Sequence, residues 1–458
     1  MERFMLKRSV PVEIGYDVVV AGAGPAGSAA AVCAARLGAK VLLVEAMGCM
    51  GGMGTSGLVA AFGPMSDGVR QLACGFIGEV VDILYDRGYI QYGLTPEAWR
   101  QSYLHWVPFN PEGLKIIYEE FAQAAGVDIR YFTRVIDVQL DPANDHRIDG
   151  VIISNVDGYS YIKAKAFVDC TGDAILAGLC GAKCREAYKD TPKGLAASLD
   201  SLWAGCDWEI AGQRVDEFKD LLDKAVGEGR FTQSDRLFRG TVKGSAVGIA
   251  RLGKTTALLN AGHIYNMNAL RNKDVTEAMI FGRRQLLEYW DFMRKDLPGM
   301  SGIDMIATGS LLGVRESRRI VGEYEITQED FFEKRHFPDQ IGAYNRMMDI
   351  HPYDDSPEEL EKFRRNMERN QLGVGNYLGI PYGILVPKGW HNLWVAGRCV
   401  STDPQVLGTL RAQPCCAIMG QAAGTAAVQA VRTGALAYRL DTDLLRDTLR
   451  NNGAYIPE

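Results

Sequence analysis

Three groups of residues in this chain have the types and spacing to do chemistry. The first is Gly22-x-Gly24-x-x-Gly27, followed downstream by Glu45. Such a loop can cradle a pyrophosphate. Gly22 permits the tight turn, Gly24 lets the backbone approach the phosphates, and Gly27 lets the next helix pack close. The N-terminal N–H groups and dipole of that helix then face the charge. Glu45, at the end of Val41–Val44, is placed to accept from ribose hydroxyls. The second group is His351 in Met-Met-Asp-Ile-His-Pro-Tyr, where an imidazole beside Pro352 and Tyr353 can move a proton near neutral pH. A hydrogen-bonded structural histidine is the alternative; His391 and His105 are lesser candidates among six histidines. The third is the block Arg315, Glu316, Arg318, Arg319. It could clamp an anionic substrate bidentately or form ion pairs joining two domains. His351, Arg318 and Tyr353 are the catalytic candidates. Arg398, Arg411, Tyr377 and Tyr382 are further residues that could line the pocket.

Each group needs an element to hold it. An apolar run, Val18–Ala21, leads into the glycine loop, an alanine-rich run to Gly38 follows, and Val41–Val44 closes on Glu45. Strand, turn, helix, strand and carboxylate is the order of a βαβ dinucleotide site. A lone glycine pattern among 51 glycines says little; the flanks carry the reading. Taken alone, the stretch admits NAD as readily as FAD. Next, Gly48, Gly51, Gly52, Gly54 and Gly57 leave room for a ligand against the backbone, with Thr55 and Ser56 as potential donors. A flexible loop is the alternative there.

Residues 66–106 read as helical and aromatic, with a loop near Gly93–Pro96. Asn110-Pro111 starts an amphipathic helix that Gly126 closes. Strand-like runs at 127–140, 147–158 and 159–170 are joined by turns at Asp141–Asp149 and Asp157-Gly158. The third ends in Asp169-Cys170-Thr171-Gly172-Asp173, a turn that sets backbone N–H groups at a ligand-binding sheet edge. From about Ala187 to Leu372, charged helical segments (215–229, 275–295, 357–370) replace the glycine–alanine texture and read as an inserted domain. The texture then returns. Leu393–Ala396 is a strand, Gly397-Arg398 a turn, and Pro414 opens a long small-residue helix whose positive end faces whatever precedes it. Gly420 and Gly424 lie on one face of it and allow close packing; a plain alanine-rich core helix is the alternative.

The 458 residues call for two or three domains. A net charge of −6 gives no support to nucleic-acid binding or an anionic membrane surface. The uncharged stretches 18–35 and 412–431 are too rich in Ala and Gly to span a bilayer. With no apolar signal core near Met1, a cytoplasmic protein is expected. Ten scattered cysteines without a CxxC argue against a zinc site, so no metal is expected.

Four segments, VVVAGAGPAGSAAA…VLLVEA with GCMGG, DCTGDA, LLGVRESRRIVGEYEIT, and IPYGILVPKGWHNLWVAGRCVSTDPQVLGTLRAQPCCAIMGQAAGTAA, carry a family resemblance across residues 16 to 430. Together they resemble the glutathione-reductase-2 type of FAD-dependent oxidoreductases, and more narrowly a broad bacterial group of them. The resemblance implies an α/β fold in which a Rossmann-like FAD-binding domain, three layers around a parallel central sheet, carries an inserted α+β substrate domain. The expected layout is 1–186 for the first part of the FAD-binding domain (helical excursion near 60–110), 187–372 for the insertion and 373–458 for the return. It implies non-covalent FAD and hydride transfer with a small organic substrate. NAD(P), a quinone or oxygen could be the second redox partner. Gly22, Gly24, Gly27 and Glu45 would hold the ADP half, with Pro25, Ala26, Ala46 and Val135 also at the cofactor. Gly51, Gly52 and Thr55 would lie near riboflavin. Thr171, Gly172 and Asp173 would form a second phosphate-proximal turn, Gly397 and Arg398 would reach the ribityl chain, and Gly420 and Gly424 belong to the helix aimed at the ring.

Other readings compete. Gly248-x-x-x-x-Gly253-Lys254-Thr255 matches a P-loop, but the preceding TVKGSAV is a poor buried strand. A disulfide reductase would need a second thiol where Gly54 stands near Cys49. An NAD(P)-linked dehydrogenase leaves the DCTGD turn and the C-terminal block without a role. A flavin-binding protein without turnover is the non-enzyme alternative.

Overall fold

A computed structural model describes residues 7–231, 248–354 and 356–458 of the chain. Its centre is a 7-stranded sheet. Strand β1 (Val12–Ala21) pairs in parallel with β2 (Val41–Val44) on one side and with Gly158–Asp169 on the other. Asp128–Arg130 extends the sheet beyond β2, and Leu393–Val395 lies parallel to the end of Gly158–Asp169. The hairpin Arg134–Asp141 and Asn144–Asn155 adds the antiparallel edge. Val18, Val19 and Val20 are fully buried, as expected where both faces of a parallel sheet are covered.

One cover is a helix pair, α1 (Pro25–Arg36) against Gln413–Thr433. A Cβ on Gly420 would collide with the Ala26 carbonyl, and one on Gly424 with that of Ala30. The two backbones therefore touch, and only glycine fits at those two crossings.

The expected strand run 127–140 is broken at Tyr131–Thr133, where Phe132 has φ +50°. Between 66 and 106 the helices are shorter than expected, Phe76–Asp86 and Pro96–Gln101. The helix after Asn110 forms over Pro111–Ala124, with the Asn110 side chain accepting from Glu112 and Gly113.

The insertion carries its own core around Trp203, Tyr289, Phe292 and Met293. A 4-stranded sheet, in the order Ile249–Arg251, Thr256–Leu259, Ser201–Ala204, Asp304–Thr308, packs there with the helix Asn272–Asp296. Ile326, Phe331, Ile341 and Tyr344 belong instead to the core that contains Val18 and Val20 of the central sheet. The P-loop-like pattern spans a strand and the turn of a hairpin, with Leu252 and Gly253 both donating to the Thr256 carbonyl. A strand again follows, not the helix that a phosphate loop requires. The TVKGSAV segment lies outside the described residues. No helix among the described residues is long and apolar enough to cross a membrane.

Candidate active site

The glycine loop has the geometry its spacing implies. Gly22 sits at φ +89°, and a Cβ there would lie 2.7 Å from the Cys170 carbonyl oxygen. A Cβ on Gly27 would collide with the Gly22 carbonyl. Gly24 differs: a Cβ there would meet nothing within 4 Å, so the loop has one open face. Gly24 is also the N-cap of α1, followed by Pro25, with no side chain capping the helix. The first-turn N–H groups of Ala26 and Gly27 have no intrahelical partner and are available to an anion. Buried Glu45 accepts from Ala23 N–H at 2.6 Å and Met47 N–H at 2.8 Å, and burial pushes its carboxyl up despite those bonds. Each carboxylate oxygen keeps a further lone pair for a hydroxyl. Ala46 follows it at the rim.

The other expected cofactor segments converge on this loop. Gly51 (φ +101°) donates to the Ala23 carbonyl at 2.7 Å, and a Cβ on Gly52 would lie 2.9 Å from Gly24 Cα. Gly172 takes φ +75° in the turn beside Gly22. Asp173 binds Arg398 at 2.6 Å, and both bind the Ser317 hydroxyl, at 2.6 and 2.8 Å. Gly397 packs against Ala26. The segments thus bring together backbone N–H donors, close-approach glycines and the carboxylates of Glu45 and Asp173, groups that can hold an extended dinucleotide.

Several residues have other partners than expected. Gly420 and Gly424 turn their bare faces to α1, so helix packing accounts for them. The Thr55 hydroxyl is used by the Met50 carbonyl at 2.6 Å and closes the glycine-rich loop. Thr171 is held by Asp169, whose buried carboxylate gathers Thr171 N–H, Thr171 O–H and Ala177 N–H. Val135 is buried in the hairpin opposite Ile153, next to the Thr133 N–H that donates to the Glu45 carbonyl. Arg318 bonds Glu186 at 3.3 Å and the carbonyls of Asp173 and Ala174, tying the insertion's exit strand to the turn. Tyr353 sits among the charges of Glu316, Glu359 and Arg319, and burial pushes its hydroxyl up to about 12. Neither belongs to the network around His351.

In that network His263 and Arg346 are buried, while the His351 and Asp349 side chains are 20% and 14% exposed. His351 Nε2 lies 3.1 Å from Asp349 Oδ1, and its Nδ1 lies 2.7 Å from His263 Nε2. Asp349 Oδ2 takes Arg346 at 2.8 Å and Arg411 at 2.9 Å. Burial raises Asp349, but His351, Arg346 and Arg411 outweigh it and hold the carboxyl well below the usual range. Burial, aided by Arg315, brings His351 down to about 4, so it is neutral at pH 7. Asp200, 1% exposed, is pushed up to about 8 by burial against the pull of Arg315. Both Asp200 oxygens, His263 Nδ1, Tyr344 Oη and Gln413 Oε1 are buried without a hydrogen-bond partner.

Asp200 and His263 both feel Arg315, and buried polar atoms left without a partner are places for a polar ligand. Gln413 opens the helix Gln413–Thr433. A Cβ on Gly63 would lie 3.1 Å from Tyr344 Oη, and Gln413 Nε2 donates to the Val59 and Ala61 carbonyls of the segment that follows the glycine-rich loop. A positive helix end, several arginines and a neutral imidazole pair there can bind a polar substrate, accept its proton and stabilise charge on an acceptor. Sequence reading missed His263, Asp200, Arg346 and Asp349. Only Asp349, two residues from His351, had a local signal.

The 48 residues that match a dihydrolipoyl dehydrogenase of Trypanosoma brucei brucei are 50% identical and cover 10% of each chain. Among solved structures, a geranylgeranyl bacteriochlorophyll reductase-like protein from Thermoplasma acidophilum is 13% identical, with a TM-score of 0.48 over 97% of this chain and 83% of its own. A p-nitrophenol 4-monooxygenase from Pseudomonas putida gives 13% and 0.48 over 97% and 89%. A family model described as FAD dependent oxidoreductase matches residues 17–449. The chain therefore belongs to the FAD dependent oxidoreductase family, and FAD is its cofactor.

Proposed function

We propose that the protein oxidises or reduces a small organic substrate by exchanging a hydride with non-covalently bound FAD, beside the His263–His351–Asp349 network. Gly22, Gly24, Gly27 and Glu45 would hold the adenosine diphosphate end; Asp173 and Arg398 would lie beside the chain leading to the ring. Bound there, FAD supplies a two-electron acceptor for hydride. The observation that carries this reading is the His263–His351 pair held against Asp349, with His263 Nδ1 left buried and without a partner. His351 and its partners manage the substrate proton. Arg315, Arg346 and Arg411 hold positive charge where electron density gathers. NAD(P), a quinone or oxygen would close the cycle, and the cytoplasm is the proposed location.

The test is anaerobic mixing of the flavin-loaded protein with a panel of alcohols, hydroxy acids and amines. Loss of the visible flavin absorbance with a carbon donor supports the reading. A flavin that only dithionite reduces favours a binding protein without turnover.

A further inference from the structure

We propose that the substrate is an alcohol, that His263 Nδ1 takes its hydroxyl proton, and that the charge is then held between His351 and Asp349. This rests on the hydride-transfer reading above and adds the proton's route to it. An ionised carboxylate can only accept, so His351 Nε2, 3.1 Å from Asp349 Oδ1, must carry a hydrogen. A neutral His351 therefore has a bare Nδ1. That atom accepts, at 2.7 Å, the hydrogen on His263 Nε2. His263 is left with its lone pair on Nδ1, an atom that is buried and has no partner. The tautomers follow from the Asp349 end of the chain, and the free base lies at the other end.

The charged groups around the pair keep the relay empty. Arg315 acts on both imidazoles, Arg411 acts on His351, and Asp349 opposes them. Burial is the largest influence on each and disfavours the imidazolium. Asp200 and Tyr265 complete the charged and titratable surroundings through Arg315.

The step balances as follows. The alcohol O–H bond breaks and its proton binds His263 Nδ1. The Nε2 proton of His263 passes to His351 Nδ1, which leaves an imidazolium against the Asp349 carboxylate. The adjacent C–H bond breaks, its hydrogen and electron pair leave as hydride for FAD, and the C–O bond becomes C=O. The substrate is oxidised by two electrons and FAD is reduced by two. His263 ends neutral with its hydrogen on Nδ1, and the positive charge has moved one ring away from the substrate.

The test has two arms on the holoenzyme. In the first, the ring nitrogens of labelled histidine are assigned by NMR at neutral pH, with His263→Gln and His351→Gln used for assignment. We expect both rings to be neutral with hydrogen on Nε2; hydrogen on His263 Nδ1, or an imidazolium at either residue, overturns the relay. In the second, flavin reduction is followed anaerobically against pH with an alcohol donor. His263→Gln keeps a donor toward His351 but no base. It should cut the rate at pH 7 by about 100-fold and then gain about tenfold per pH unit as the alcohol ionises unaided. A wild-type rate and pH profile in His263→Gln overturns the proposal. If no donor bleaches the wild-type flavin, the function reading fails, and the NMR arm still decides the proton arrangement.

Discussion

Arg411 Nη2 lies 2.9 Å from both the backbone carbonyl and Oδ2 of Asp349. It thereby fastens the residue just ahead of the helix Gln413–Thr433 to the loop that carries His351. Gly408 is pressed against the same loop, where a Cβ would lie 2.7 Å from Asp349 N. The helix end and the proton-handling side chains are thus set relative to each other by a few direct bonds. Burial and the neighbouring Arg346 and Arg315 pull Arg411 below its ordinary value against Asp349, yet a guanidinium stays charged at neutral pH.

Arg411→Met removes one partner of a buried ion pair, a change that costs about 3–5 kcal/mol in general. Arg346 keeps Asp349 partly compensated, so the loss should fall at the lower end of that range. Thermal unfolding of the apo-protein checks it, and an unchanged melting temperature would mean that the pair contributes nothing.

Asp200→Asn should stabilise the apo-protein, and increasingly so as pH rises. The folded carboxyl titrates at about 8, above its ordinary 3.8, so below 3.8 both states are protonated and nothing is lost. Between those values the unfolded chain is ionised and the folded one is not, which costs roughly 1.4 kcal/mol per pH unit. The melting-temperature advantage of the variant should therefore grow from about pH 4 to pH 8 and then level off. A constant difference across that range contradicts the buried, unpaired assignment.

Gly420→Val forces a branched side chain into the Ala26 carbonyl. Overpacking of this kind costs about 1–3 kcal/mol or more, and because α1 carries the glycine loop, FAD retention should fall with stability. Chemical denaturation and flavin content measured on one preparation test both.

Gly24→Ala separates binding from folding. The site in front of Gly24 is empty, so the apo-protein should lose no more than about 1 kcal/mol, the effect of replacing a glycine N-cap by alanine. The added methyl stands where the pyrophosphate must approach, so FAD affinity should drop at least about tenfold, or about 1.4 kcal/mol. Titration of the apo-protein with FAD decides this; wild-type affinity would move the phosphates away from this loop.

The βαβ unit was legible because its determinants are local. Gly22, Gly24, Gly27 and Glu45 fall within one βαβ unit whose strands and helix are visible as apolar and alanine-rich runs. The parallel sheet, the turn at 169–173 and the helix at 413 followed from the same logic. The histidine network was not legible in that way. His263 and His351 are separated by 88 positions and meet only in the folded chain. Asp200 looks like any loop aspartate until burial strips it of partners. Arg318 stood out by the density of its neighbours, yet the short pairing of Arg318–Ile320 with Cys184–Glu186 turns it to Glu186. Gly420 and Gly424 invited a ligand role from their resemblance, whereas the contact they permit is with α1.

The measurement closest to the central claim compares wild type with His351→Ala under anaerobic conditions, with a reducing organic donor and with dithionite. The same FAD per chain and the same dithionite response are expected in both. Reduction by the organic donor should be slower in the variant by about 100-fold or more, the usual worth of a positioned proton acceptor. Equal rates of bleaching by the donor in the two proteins would contradict a role for this buried histidine pair in the chemistry.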